Sequence, residues 1–297
     1  MIQHERCPLT DSSDIKKVFE VKDYTVSGKM FPVFESENVN YRFTNPVPSQ
    51  EELQEYYKSE AYVSHSQTKE GLVNRLFHVA RIYTMRYKKR AVCHNTGKKQ
   101  GKLLDYGCGT GDFIRFMQNA GWQCSGYEPD PNARETAIQN TGATISGQDG
   151  LKILDHGQFD CITLWHVLEH VYEPGNTIEH LLKLLKPGGV ILFALPNYNS
   201  ADAEFYREFW AGYDVPRHLH HFTYESFSHL AEKNNMDIPA LQRMHLDSFY
   251  VSMLSEKYLA EKGSQLRGVW QGFKSWLAAL FNKKRGSSIM YVGRRKN

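Results

Sequence analysis

Long apolar runs are missing from this sequence. No window of its 297 residues approaches the roughly 20 apolar positions that a membrane-spanning helix needs. The N-terminal MIQHERCPLTDSSD holds no apolar signal core, so a cytoplasmic protein is expected. Cysteine is scarce as well. Five residues (Cys7, Cys93, Cys108, Cys124, Cys161), an odd number without a C-x-x-C pair, fit reduced thiols rather than a disulfide framework. Excess charge is lacking too: 36 Lys and Arg against 33 Asp and Glu leave +3, which gives bulk charge no argument for nucleic acid. Basic clusters at Arg86 to Arg90, Lys98 to Lys102 and Lys283 to Arg285 read as solvated faces, with a phosphate-bearing partner as the alternative. What is abundant is apolar (41%) and aromatic (13%) side chains, enough for one sizeable core plus an appendage.

The first hundred residues differ from the rest. Short β-like pieces (Lys17 to Val21, Phe31 to Phe34, Tyr41 to Phe43) lead to the turn NPVPS, and Ser49 with Glu52 predicts a capping box at a helix start. A second helix is expected from about Gly71 to Val92, and the polar HNTGKKQG at 94–101 marks a boundary. From Lys102 the pattern alternates: KLLDYG, WQCSGYEP, ATISGQD, FDCITLW and GVILFALP read as strands, separated by helical DFIRFMQNAG, PNARETAIQNTG and GNTIEHLLKLLKPGG. This rhythm predicts a doubly wound α/β domain with its ligand at the carboxyl ends of the strands. Beyond Pro196 lies a connection longer than a plain connector, then a helix from Tyr224 to Asn234, a strand at 240–245 and a terminal strand at 288–294. The apolar stripe from Leu266 to Phe281 reads first as a packing face, and otherwise as a membrane-surface or dimer helix.

LLDYGCGTGDF at 103–113 follows a strand and opens a helix. Gly107, Gly109 and Gly111 allow a tight turn and close approach of a ligand. A dinucleotide fingerprint would need glycine at 112, where the chain has Asp112. Asp105 before the turn suits an ammonium better than a pyrophosphate, and Glu128 in YEPD stands where an acid accepts bonds from ribose hydroxyls.

Asp105, the glycine turn and Glu128 together resemble the class I S-adenosylmethionine-dependent methyltransferases. FDCITLWHVLEHVYEP, LLKPGGVILFALPN, DVPRHLHHFTYESF and RFTNPVPSQEELQEYY are similar to the branch called methyltransferase domain 23. The resemblance implies a Rossmann-like sheet of seven strands, mostly parallel with the last antiparallel, under a small N-terminal β and helical cap. It implies S-adenosylmethionine as methyl donor and S-adenosylhomocysteine as product. The glycines, with Tyr106, would border the amino-acid part; Asp105 would orient the turn or the ammonium, Glu128 bind the ribose and Pro129 border the adenine. Asp149 would reach the adenine amine, and Trp165 face the cofactor. That branch often begins with a zinc ribbon. Here only Cys7 fills a ligand position, the others falling on Thr10, Ser36 and Val39, so residues 1–50 are expected to be a degenerate ribbon without metal, 51–100 a helical cap and 101–297 the methyltransferase domain.

TLWHVLEHV at 163–171 spells H-x-x-E-H, which on another fold would suggest a zinc protease; the α/β context excludes that. His166 and His221 are the expected catalytic bases, since a hydroxyl acceptor needs its proton removed while methyl transfer itself needs mainly alignment. His218 and His220 share the connection with His221, and Tyr62 and His65 could close the site from the cap. No metal is expected. The alternative is a divalent ion on His166, Glu169 and His170, taken to share one helix face, completed by a histidine from 218–221; this resembles E-x-x-E-H in small-RNA ribose methyltransferases and ubiquinone-pathway O-methyltransferases. Trp165-His166 replaces the N/D-P-P-Y or Pro-Cys motifs of base methylation. A hydroxyl of a small or carrier-bound metabolite, sugar or quinone-like, is thus the expected acceptor. RNA ribose methylation and a non-catalytic cofactor-binding module are the alternatives, and no nucleic-acid partner is expected.

Overall fold

A computed structural model describes residues 1–57, 72–147, 155–259 and 262–296. The chain begins with three antiparallel strands, β1 (Lys16–Lys22), β2 (Met30–Ser36) and β3 (Tyr41–Thr44), and a one-turn helix, α1 (Gln50–Leu53). The capping box is present: the Ser49 hydroxyl accepts from the Glu52 amide, and the Glu52 carboxylate accepts from the Ser49 amide. Next comes the long α2 (Leu72–Thr96). The alternating part follows as β4 (Lys102–Tyr106), α3 (Asp112–Gln118), β5 (Gln123–Tyr127), α4 (Pro131–Thr141), β6 (Ile145–Ser146), β7 (Phe159–Trp165), α5 (Pro174–Leu184) and β8 (Leu185–Pro196). After it come α6 (Ala201–Tyr206), β9 (His220–His221), α7 (Tyr224–Lys233), β10 (Met236–Arg243), α8 (Asp247–Tyr258), α9 (Gln265–Phe281) and β11 (Ser288–Arg295).

The large sheet runs β10-β11-β8-β7-β4-β5-β6. Its neighbours are parallel except that β11 is antiparallel to both β8 and β10, the mostly parallel seven-stranded arrangement expected. Alternation along the strands splits the core between two faces. Leu103, Cys161, Val190 and Leu192 pack with Val92 and Met117 on one side, while Leu104, Ile162, Ile191 and Phe193 pack with Leu181 and Phe227 on the other. With both faces covered, β8 is buried without a polar side chain from Val190 to Leu195, as its continuous apolar run required. The order reverses at β4, whose partners are β5 on one side and β7 on the other; the crevice beyond their carboxyl ends is where a ligand fits.

Helices α5 and α9 depart from the sequence reading. The helix expected to continue through LLKPGG stops at Leu184, because Leu185 already pairs with Phe159 and Pro187 cannot donate to a helical turn. The stripe on α9 is not a packing face. Leu266, Trp270, Phe273, Leu277 and Phe281 are exposed, and Gly268, Gln271, Gly272, Ser275 and Ala279 are buried instead.

The small sheet runs β1-β2-β3-β9, its last strand coming from the RHLHH segment. Phe43 pairs with His220 and Arg42 with His221, so three strands that would be marginal alone gain a partner on the open edge of β3.

Candidate active site

Three glycines shape the turn after β4. Gly107 and Gly111 are left-handed (φ 75° and 82°) and tightly packed: a Cβ would lie 2.6 Å from Val167 Cγ2 at the first and 2.8 Å from Thr141 Cγ2 at the second. Gly109 is also left-handed, but a Cβ there would meet nothing within 4 Å. The open side of the turn is therefore at Gly109, a cradle into which any side chain would project. Its amide donates to Glu128 Oε2 at 2.8 Å, and Glu128 Oε1 accepts from the Asp130 amide at 3.0 Å. One carboxylate thereby ties the turn after β4 to the end of β5. Burial pushes the Glu128 carboxyl up, against the pull of these two amides.

Asp105 lies opposite Thr163 across β4 and β7 and accepts its hydroxyl at 2.6 Å. Burial lifts Asp105 to about 6, although the Thr163 bond and the nearby Lys88 charge oppose the rise. Tyr106 stacks on Tyr127 with ring centroids 4.5 Å apart, and the Pro129 carbonyl accepts from Arg134 at 3.1 Å. Trp165 meets Phe113 edge to face at 5.4 Å, with Lys88 Nζ 4.6 Å from its ring centroid. Asp149, Tyr62 and His65 lie outside the described residues.

TLWHVLEHV does not form the helix expected for its histidines. β7 ends at Trp165, His166 takes a left-handed backbone (φ 59°) with its amide bonded to the Ala194 carbonyl, and Leu168–His170 make a single 3-10 turn. A non-glycine residue at positive φ costs on the order of 1 kcal/mol and needs its surroundings to hold it. Here the imidazole supplies the hold. Its Nε2 lies 3.1 Å from Asp247 Oδ2, and its Nδ1 3.5 Å from Glu169 Oε1. Burial opposes the imidazolium, yet the two carboxylates outweigh it and lift His166 to about 9.

Glu169 is the most unusual group. It is fully buried, and neither carboxylate oxygen is closely hydrogen-bonded among the described residues, the nearest charged partner being the His166 ring at 3.5 Å from Oε1. Burial raises its pKa, but His166, His218 and His170 more than compensate and hold it below the usual value, so the carboxylate is charged. The Leu219 amide donates to the Glu169 carbonyl at 2.8 Å, which fastens the RHLHH segment to the 3-10 turn and brings His218 Nε2 to 4.0 Å from Glu169 Oε1. His218 Nδ1 is 2.9 Å from the Gly212 carbonyl, and His170 Nδ1 3.0 Å from the Arg217 carbonyl. A carbonyl can only accept, so each Nδ1 carries hydrogen, and in the neutral ring that leaves Nε2 as the nitrogen with the lone pair. The ligand atoms of Glu169, His170 and His218 lie within 4.8 Å of one another. A buried charged carboxylate with no close hydrogen bond, beside two histidines each oriented by a backbone carbonyl, is a donor set that fits a divalent cation.

The structure does not bring His221 to this cluster. It is buried in β9 with its Nε2 3.2 Å from Thr44 Oγ1 and its ring edge-on to Tyr213, 6.5 Å from the His218 ring, and burial, with Arg42 nearby, pushes its pKa well down. His220 likewise spends Nε2 on the Val171 carbonyl. Three residues at the site were not legible as such. His218 was one of three equivalent histidines, Lys88 lay within a basic run read as solvated, and nothing marked Asp247 at the start of α8.

Residues 78–240 match the family described as methyltransferase domain, in the branch numbered 23. The chain belongs to this family. A ubiquinone biosynthesis O-methyltransferase from Erwinia tasmaniensis is 34% identical to the chain over 116 residues, which cover 36% of this chain and 47% of that protein. The match to the corresponding Thiobacillus denitrificans protein is 29% over 106 residues, covering 33% and 46%. The methyltransferase-domain chain thus spans about half the length of the curated relatives it matches. Among solved structures, magnesium protoporphyrin IX methyltransferase from Synechocystis PCC 6803, with bound S-adenosylhomocysteine, shares the fold with a TM-score of 0.55 at 12% identity, over 84% of this chain and all of that one.

Proposed function

We propose that this chain transfers the methyl group of S-adenosylmethionine to a hydroxyl of a small or carrier-bound acceptor, sugar or quinone-like. The carrying observation is the open cradle at Gly109, braced by the Glu128 carboxylate at the switch point of the sheet, with the His166–Asp247 pair beyond it. The ubiquinone-pathway name of the partial relatives supports a hydroxyl acceptor.

Asp105, Tyr106, Gly107, Gly109, Gly111, Glu128, Pro129 and Trp165 would hold the donor, which when bound supplies a sulfonium methyl for in-line displacement. His166 would take the acceptor proton. Asp247 holds its ring and stabilises the imidazolium that results, which strengthens the base at the expense of keeping it protonated in the neutral range. Lys88 over Trp165 would have to share Asp105 with the donor's positive groups. A second reading rests on Glu169: with His170 and His218 it would hold a divalent cation, which when bound would polarise the acceptor oxygen. The same reading takes 1–50 as a degenerate zinc ribbon retaining Cys7, 51–100 as a cap and 101–297 as the methyltransferase domain.

Calorimetric titration with S-adenosylhomocysteine tests the site. Gly109→Arg is expected to abolish binding and Glu128→Ala to weaken it about tenfold or more, while His166→Ala keeps it and loses turnover. Unchanged affinity in Gly109→Arg and Glu128→Ala would remove the central claim. For the second reading, metal analysis of purified protein and of Glu169→Gln decides: equal metal content in both would end it.

A further inference from the structure

The α8–α9 hairpin is built inside out. α9 turns Gly268, Gly272 and Ser275 inward, and its two glycines meet α8 at Ser248, Phe249 and Met253. The backbones approach closely: a Cβ on Gly272 would lie 2.7 Å from Phe249 Cα, and one on Gly268 3.0 Å from Met253 Cα. Small residues between helices with bulky apolar residues outward is how helices pack in lipid, where the hydrophobic effect does not select the contact. In water the same arrangement leaves a large apolar strip exposed, and such a strip marks an interaction surface. Leu266 and Phe281 at its two ends are each 84% exposed. Between them Trp270, Phe273 and Trp276 form a stacked row with centroids 5.8 and 6.0 Å apart.

Charge selects the occupant. From Lys262 to Arg285 the chain has six basic residues and no acidic one. Arg267 and Arg285 are tied to Glu256 and Glu204, whereas Lys262, Lys274 and Lys283 are exposed along the strip, with Lys274 Nζ 5.5 Å from the Trp270 ring. A second copy docking through a twofold axis would set this cationic strip against itself. An anionic surface would complement it, with the lysines reaching headgroup level above buried rings. The helix is about 25 Å long by its rise, and no helix among the described residues is long and apolar enough to cross a membrane. It can lie in a bilayer surface without spanning it.

We propose that the outer face of α9 docks in the plane of an anionic lipid bilayer. The helix that supports it, α8, begins at Asp247, the partner of His166, so a docked hairpin would set the candidate site beside the lipid surface. The proposal does not depend on the methyl acceptor.

Sedimentation of the whole chain with phosphatidylcholine vesicles, with and without phosphatidylglycerol, tests it. Co-sedimentation is expected with the phosphatidylglycerol vesicles, falling with added salt. The double variant Leu266→Ser/Phe281→Ser should bind about tenfold more weakly or worse, and so should Lys274→Glu/Lys283→Glu, both with unaltered thermal unfolding because these side chains bury little. Absence of binding by the unmodified chain, or binding by both variants as tight as that of the unmodified chain, overturns the proposal. A dimer that Leu266→Ser/Phe281→Ser dissolves, with no vesicle binding, would assign the face to a second copy instead.

Discussion

Helices α5 and α9 both carry an apolar stripe at helical spacing, and they point it in opposite directions. α5 buries Ile178, Leu181, Leu182 and Leu184 against the sheet. α9 buries glycines, a serine and a glutamine, and exposes its rings. The difference comes from what lies beneath each. α5 is the crossover between the parallel strands β7 and β8, so it must lie on the sheet, and the sheet offers an apolar face. α9 lies instead on α8 and α6, where the surface is polar. Ser275 donates to Asp202, which also accepts from Ser287 and from the Trp210 indole, and the buried Glu256 is clasped by Arg267. Periodicity identifies a face; the neighbour decides whether that face is the inner one.

The largest effect expected is in α5. Leu181→Ala removes a fully buried side chain and should cost about 3 kcal/mol in denaturant unfolding. In α9 the sensitive position is a glycine: Gly272→Leu drives a side chain into the α8 backbone at Phe249 and should cost about 2 kcal/mol, measured in the same way. Acid separates the two helices by a further step. Burial raises the Glu256 carboxyl, but Arg267, the Ser264 amide and the Tyr206 hydroxyl outweigh it and hold it below its ordinary 4.5. A depressed carboxyl contributes stability in full above its unfolded value and loses it as pH falls through the folded one. Hydrogen exchange should therefore show α9 loosening below about pH 4.5 ahead of α5, and Glu256→Gln should remove that difference. The smallest effect belongs to the outer stripe, where Leu277→Ala should change stability by less than about 0.5 kcal/mol. If Leu277→Ala cost as much as Leu181→Ala, the inside-out description of α9 would fail.

The candidate site residues divided along similar lines. Asp105, the glycine turn and Glu128 were legible because each sits at a strand end whose position follows from local pattern, and the turn conformation needs glycine in itself. The partners of the histidines were not, because their environment is assembled from four distant segments: the 3-10 turn after β7, the RHLHH segment, the start of α8 and, through the Tyr57 hydroxyl 2.9 Å from His170 Nδ1, the N-terminal part. His218 differs from His220 and His221 only in what surrounds it. A carbonyl orients its ring toward Glu169, while β9 pairing turns the other two into the small sheet.

Alternating apolar runs, caps and turn glycines determined by themselves the order of strands and helices from Lys102 to Pro196, the crevice at β4 and the turn at Gly109, since these rest on backbone sterics and on short-range burial. Tertiary structure alone decided that His166 lies between two carboxylates, that Glu169 is buried with no close hydrogen bond, and that the stripe of α9 faces outward. Each of those is set by the field or the surface of residues far away in the chain, which no local pattern carries.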